Sequence, residues 1–174
     1  MKKYFYSLVI LFVFAGSLSL MAQDDAPKRP ENMGVSDFDS FKNNSFDILD
    51  ESAKLKTDAT KIDSDVKGYA GGLAGASVDK LKTDLKALKG IRNSSKELST
   101  RIGGLNEQSK QMLASAKSVK PMTKSPQATK NTNASVKGLD ASKKNLEGVG
   151  ALVEANTKLI TDELKKRGET VEEE

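Results

Sequence analysis

The stretch that decides the fold is LKGIRNSSKELSTRIGGLNEQSKQMLASAKSV, residues 88–119. Apolar or small residues return in it at alternating spacings of three and four: Leu88, Ile91, Ser95, Leu98, Ile102, Leu105, Ser109, Met112, Ala116 and Val119. This spacing places them along one side of an α-helix, at the a and d positions of a heptad repeat. The stretch therefore predicts a long amphipathic helix that buries one narrow seam.

The same spacing occurs on both sides of this stretch. Upstream it runs through Phe38, Phe41, Ser45, Ile48, Ser52, Leu55, Ala59, Ile62, Val66 and Tyr69, and downstream through Leu139, Ser142, Leu146, Val149, Val153, Asn156 and Ile160. A glycine cluster over 68–75 separates the first two stretches, and Pro121 and Pro126 separate the last two, since both residue types interrupt helices. We expect helices at about 36–70, 77–119 and 127–167.

Three helices of similar length joined by short turns fold back on one another more readily than they form one extended rod. At 1.5 Å per residue each would be about 50 to 60 Å long. The predicted fold class is therefore all-α. Its architecture is an elongated, coiled-coil-like, antiparallel three-helix bundle over residues 36–168.

The two ends of the chain differ from this helical region. Residues 1–22 have a charged start at Lys2 and Lys3, an apolar run over 8–14 and small residues up to Ala22, which is typical of a secretory signal peptide. The prediction is export by a bacterium to the periplasm or medium, with no transmembrane segment left after cleavage. Residues 23–35, rich in proline and charge, are expected to be a disordered leader, and 169–174 a frayed acidic tail.

The composition argues against catalysis and against cofactors. The chain has no histidine and no cysteine, the side chains most used for proton transfer, nucleophile activation and transition-metal binding. No phosphate-binding or nucleophile-elbow motif occurs. Without residues 1–22 the chain keeps 26 basic and 24 acidic residues, a net charge of +2. That near-neutral balance disfavours nucleic acid as a partner, and we expect a protein that is not an enzyme and binds no cofactor or metal.

Charge is nevertheless unevenly distributed along the chain. The second turn and its flanks carry a candidate interaction site, here called the basic tip: Lys110, Lys117, Lys120, Lys124, Lys130 and Lys137. The start of the first helix is acidic, with Asp37, Asp39, Asp47, Asp50 and Glu51, and would lie alongside. One interpretation is that these charges pair and only set the helix order. The other is that surplus lysines face an anionic partner or surface.

Glycines inside the second and third helices form a second candidate site. Glycine in a helix costs roughly 0.5 to 1 kcal/mol relative to alanine, so it calls for a structural reason. Positions counted from the second turn bring several of them to one level near the middle of the bundle, a predicted helix-contact waist of Ala59, Gly103, Gly104, Gly148 and Gly150. Close backbone approach is one interpretation, and a groove that accepts a partner helix is the other.

Two functions fit these features. The first is a non-enzymatic helical-bundle protein that acts by protein–protein interaction, with another envelope protein or with itself as a homo-oligomer. The second is a chaperone-like or lipid-binding carrier, suggested by serines on the seams, which weaken a core, and by lysine-rich flanks.

Overall fold

The computed structural model describes residues 27–69 and 71–171. Its regular elements are three long helices: α1, Ser36–Gly68; α2, Val78–Ala116; and α3, Ser125–Lys166. Short 3-10 turns at Gly72–Gly75 and Met122–Lys124 lie between them, and the described residues contain no strand. The predicted fold class, an all-α three-helix bundle, is confirmed.

Contacts between the helices fix their directions. α1 and α2 are antiparallel, because Glu51 binds Arg101 and Asp65 lies near Lys80. α2 and α3 are antiparallel as well, since Lys82 binds Glu169 just beyond the end of α3. α1 and α3 therefore run parallel, and α3 packs against both other helices along its length.

Local capping interactions determine where the helices begin and end, and the spacing of the seam residues does not reveal them. α3 begins at Ser125, two residues before the predicted start, because Pro126 fits a first helical turn that needs no amide donor. It ends at a Schellman motif: Gly168 has φ +78°, and Glu169 N donates to Leu164 O. α2 ends at Ala116, although Val119 in the turn is still buried.

The core is a narrow apolar column with buried serines in it. Three apolar clusters follow one another along the bundle. The first includes Leu81 and Ile160, the second Ile48 and Leu139, and the third Phe38 and Ala128. Seam hydroxyls donate to the carbonyl three or four residues earlier at 2.7–2.9 Å, as seen for Ser45, Ser52, Ser109, Ser135 and Ser142. A buried hydroxyl with its hydrogen bond made costs little, so these serines are compatible with a closed bundle.

Residues 27–35 correct the prediction of a disordered leader. They form no helix or strand, but they pack against the end of the bundle. Met33 is buried with Phe38 and Ala116, and the Asp39 carboxylate accepts from Met33 N and Gly34 N at 2.8 Å. The buried Lys42 ammonium donates to Pro30 O at 2.9 Å. Proline and charge predicted disorder, yet these specific acceptors and one methionine anchor the segment.

The remaining predictions about the chain ends have different outcomes. The proposed signal peptide, residues 1–22, and positions 23–26 of the leader lie outside the described residues. In the predicted acidic tail, Glu169 is held by Lys82 at 2.7 Å, and 172–174 are not described. Within the described chain, no helix has an apolar stretch long enough to cross a bilayer.

A polar network closes the end of the bundle opposite the basic tip. Tyr69 OH donates to the buried Asp84 carboxylate, which also binds Lys80 at 2.5 Å. The Arg167 guanidinium donates to Ala76 O at 2.7 Å and, through a second nitrogen, to Leu73 O. These bonds join both ends of the first turn to α2 and α3.

Burial and the hydrogen bond to Asp84 raise the pKa of Tyr69 above its ordinary 10.0. The hydrogen bond to Asp84 also raises the pKa of Lys80 above its ordinary 10.5. Both groups keep their protons in the folded chain at pH values where the unfolded chain loses them. Their stabilising contribution is therefore complete below the unfolded pKa values and is lost as the pH rises through the folded ones.

We predict that replacing Asp39 by alanine loosens the leader without unfolding the helices. Amide hydrogen exchange at Met33 and Gly34 should become faster, because both amides lose their acceptor, and the free energy of unfolding should fall by about 1 kcal/mol. Asp37→Ala, an exposed position on the same helical turn, is the matched control and should leave both amides protected. Equal exchange rates in the two variants would contradict the assignment.

We predict a second effect at the opposite end. Between about pH 9 and pH 11, the wild-type free energy of unfolding should fall, and Tyr69→Phe should reduce the steepness of that fall because only Lys80 then titrates in the network. At neutral pH the variant should be less stable by about 1 kcal/mol, the value of one hydrogen bond. Urea unfolding at pH 7 and at several pH values between about 9 and 11 measures both effects. If the free energy of unfolding fell equally steeply with pH in the wild type and in Tyr69→Phe, the result would count against the network.

Candidate interaction surfaces

The basic tip is assembled by the second turn. Lys117 is the residue that caps the end of α2, Lys120 lies in the connection, and Lys124 caps the start of α3. Lys130 is one to two turns into α3, whereas Lys110 and Lys137 lie about 9 and 18 Å from this end of the bundle at 1.5 Å per residue. The structure thus brings four of the six predicted lysines close to the turn and places the other two along the sides.

The acidic start of α1 does not neutralise these lysines. Asp47 and Asp50 bind Arg29 of the leader at 2.7 and 2.8 Å, and Arg29 also stacks over Phe46. Glu51 binds Arg101 of α2 with both carboxylate oxygens, at 2.7 and 3.2 Å. The interpretation that acids of α1 pair with lysines of the tip to set helix order is therefore wrong.

The lysines of the tip have few partners of their own. Lys110 binds Glu107 at 3.1 Å on the exposed face of α2, and Lys124 donates to Gly34 O at 3.5 Å. Among residues 27–69 and 71–171, no carboxylate forms an ion pair with Lys117, Lys120, Lys130 or Lys137. The first turn of α3 contains no acidic residue either. Its helix dipole therefore adds positive potential at the same place.

The tip also has an apolar part. Met122, in the 3-10 turn between Lys120 and Lys124, is 64% exposed, the largest exposed fraction among the large apolar side chains described. Leu113, one turn before the end of α2, is 36% exposed. A flexible thioether among cations can adapt to many protein surfaces. Sequence reasoning found the lysines of this surface but not Met122, because one apolar residue between prolines has no periodicity to mark it.

The predicted waist is not a point of close helix contact. Ala59 is fully buried, but Gly103, Gly104, Gly148 and Gly150 are exposed. A Cβ atom built on any of the four glycines would meet no heavy atom within 4 Å. The close-approach interpretation is therefore wrong, because the helices carry these glycines on their outer sides.

A different glycine occupies the packed position. Gly138 is buried in α3, and a Cβ atom there would touch the Phe46 ring and Leu49 at 4.0 Å. Sequence reasoning passed over it, although it lies three residues after Ser135 and four before Ser142, on the same seam. Its place in this heptad register was the feature of the sequence that could have identified it as a buried glycine.

Two of the waist glycines instead line a groove between α2 and α3, with a volume of about 1050 Å³. Its floor is apolar, made by Ile102, Leu146, Val149 and Val153. The α2 wall is the stripe Arg92, Lys96, Ser99, Gly103 and Asn106, and the α3 wall is the stripe Lys143, Glu147, Gly150 and Glu154. Sequence reasoning missed the charged members of both walls, since they face each other only once the helices are placed side by side.

Both surfaces present charged and apolar side chains. No group of three carboxylates in the described part of the chain is arranged to hold a metal ion. The described residues combine charge, exposed apolar side chains and a shallow groove, which are features of macromolecular docking. Comparison with known proteins adds nothing to this geometry, because no family model, curated protein or solved structure matches the chain.

We predict that Gly104→Ala stabilises the chain. The position is exposed in the middle of α2 and has open space for a methyl group, so the gain should approach the difference in helix propensity, about 1 kcal/mol. Gly138→Ala is the comparison. Its methyl group would enter a packed site, so this variant should gain less stability. Thermal or urea unfolding of both variants tests this. A loss of stability in Gly104→Ala would show that the glycine has a role in the folded monomer.

Proposed function

We propose that this chain is a non-catalytic, exported interaction protein that binds an acidic surface of another envelope protein through its basic tip. The observation that carries the proposal is the separation of charge described above. Four of the five acids at the start of α1 are bound to Arg29, Arg101 and two backbone amides instead, and the fifth, Asp37, forms no ion pair with a lysine of the tip among the described residues. The lysines around the turn are left to face outward.

The chemistry of the tip favours an acidic protein as its partner. Each exposed lysine–carboxylate pair contributes only about 0.2 to 1 kcal/mol, so a handful of them supports fast and salt-sensitive encounter more than tight binding. Met122 offers an apolar anchor at the centre of the lysines, which a protein surface can cover and a polyanion cannot. The near-neutral charge of the whole chain fits a local patch on an interaction protein.

The packing of the bundle supports docking of the folded chain. Five buried seam serines have their hydrogen bonds within their own helices, and Ser95 is the exception, so opening the bundle would gain the serines almost no new bonds. Opening would instead expose the apolar column, at a cost of about 25 cal/mol per Å² of apolar surface. A carrier that opens around lipid or an unfolded client is therefore the weaker proposal.

Photo-crosslinking from residue 122 tests this function. A photoreactive amino acid replaces Met122 in cells that naturally produce the protein, and Leu159, 49% exposed on α3, serves as the matched position away from the tip. We expect one dominant protein adduct from position 122 and none of the same mass from position 159. Charge reversal at Lys117 and Lys120 should reduce that adduct at least about tenfold, because like charges then face the partner.

The charge control is Lys61→Glu with Lys158→Glu, two exposed lysines far from the tip that change the net charge equally. That variant should keep the adduct. Flotation with vesicles of anionic lipid at low salt separates the lipid alternative. Association that depends on Lys117 and Lys120, together with no protein adduct from position 122, would overturn an acidic protein as the partner. Equal adducts from positions 122 and 159 would overturn the tip as the docking site.

A further inference from the structure

The groove between α2 and α3 has charged side chains on both walls. At one end, α2 contributes the cations Arg92 and Lys96, and α3 contributes Glu154. Because Lys82 of α2 binds Glu169, just beyond the end of α3, and the two helices are antiparallel, Lys96 lies level with the turn of α3 that contains Glu154. Lys96 and Glu154 therefore stand on opposite sides of the groove at the same height.

These charges do not neutralise each other across the groove. In the described part of the chain, Arg92, Lys96, Lys143, Glu147 and Glu154 form no ion pair, either across the groove or along their own helices. Ser95 also borders the groove, and its hydroxyl oxygen is buried without a hydrogen-bond partner. The monomer thus leaves several polar groups unmatched beside an apolar floor.

The small residues of the walls have no role in the packing of the monomer. Gly103 and Gly150 have open space where a Cβ atom would be, so the chain could carry larger residues here without a clash. Glycine and serine at Ser99, Gly103 and Gly150 keep the walls low. This arrangement allows another helix pair to approach closely.

We propose that the α2–α3 groove docks a second copy of this chain, with the twofold axis parallel to the helices. Rotation about such an axis places the α2 wall of one copy against the α3 wall of the other at the same height. Lys96 and Arg92 then face Glu154 of the partner subunit, and the same contacts form twice. A twofold interface of this kind requires a self-complementary surface, and these two walls supply one.

Other arrangements satisfy the charges less well. A twofold axis across the helices would place α2 against α2, bringing the Arg92 end of one copy toward the Lys110 region of the other. An unrelated helix would need one basic and one acidic edge at the right height, which the chain itself already has. The parallel dimer also carries both basic tips at the same end, so it presents them together to one partner. The groove is separate from the tip, and this inference does not depend on the proposed function.

Two variants, each with one charge of the groove reversed, test the dimer when they are measured separately and as a mixture. Size-exclusion chromatography with light scattering on the purified protein should give a concentration-dependent dimer. Lys96→Glu alone and Glu154→Lys alone should each raise its dissociation constant at least about tenfold, since each variant places like charges across both contacts. An equimolar mixture of the two variants should restore dimerisation, because each heterodimer pairs glutamate with lysine twice.

The mixing result separates an interface from an effect within one chain. Loss of dimer through damage to the monomer could not be repaired by a second damaged monomer, and circular dichroism of each variant checks its fold directly. Failure of the mixture to dimerise, with both variants folded, would overturn the proposal. A wild-type chain that remains monomeric at millimolar concentration would do so as well.

Glycine substitutions provide a matched pair in neighbouring positions. Gly103→Leu fills the groove and should abolish the dimer, whereas Gly104→Leu lies outside the groove lining and should preserve it. If both variants dimerised equally well or equally poorly, the dimer contact would lie outside the groove. The variant reversed at Lys117 and Lys120 should still dimerise, which keeps a failure of the dimer distinct from a failure of the proposed function.

Discussion

The structure depends on one constraint: each long helix buries only about one residue per turn, and it must bury this narrow seam against two neighbours at once. A column this thin excludes the large aromatic cores of globular domains. Phe41, Phe46, Leu88 and Leu139 are fully or almost fully buried in it, and five buried serines lie among the apolar residues. All five of these serine hydroxyls donate a hydrogen bond to their own helix, so an apolar column that contains them can still be closed.

The constraint also determines where charge can be placed. Because so little surface is buried, nearly every charged residue lies outside, and ion pairs between different helices form only where helix order brings opposite signs to one level. On α1 this happens with Arg29 and Arg101, and not with the lysines of the second turn. The leader is decisive here. By folding back along α1 it supplies Arg29 to Asp47 and Asp50, and it thereby leaves the basic tip without its expected counterions.

The basic tip and the α2–α3 groove are both places that the packing of the three helices leaves exposed. The tip is exposed because the eight-residue connection between α2 and α3, which ends in a three-residue 3-10 turn, leaves Met122 outside the core. The groove is exposed because only two of the three helices border it, and its walls carry small residues that a neighbouring helix of the same chain does not use. One surface is a cluster of like charge and the other is self-complementary, so they suit different kinds of partner.

The sequence by itself determined the number of helices, their approximate limits and the side that each buries, because a spacing of three and four residues is a local property that survives in any packing. It also identified the lysines around the second turn. Only the tertiary structure decided which charges meet. Arg29 with Asp47, Arg101 with Glu51, and Lys96 opposite Glu154 are set by the height of one helix against another and by the return of the leader. The same holds for the glycines: the sequence placed Gly103 and Gly150 at one level, but the rotation of each helix about its own axis decided that they face a groove and not a neighbour.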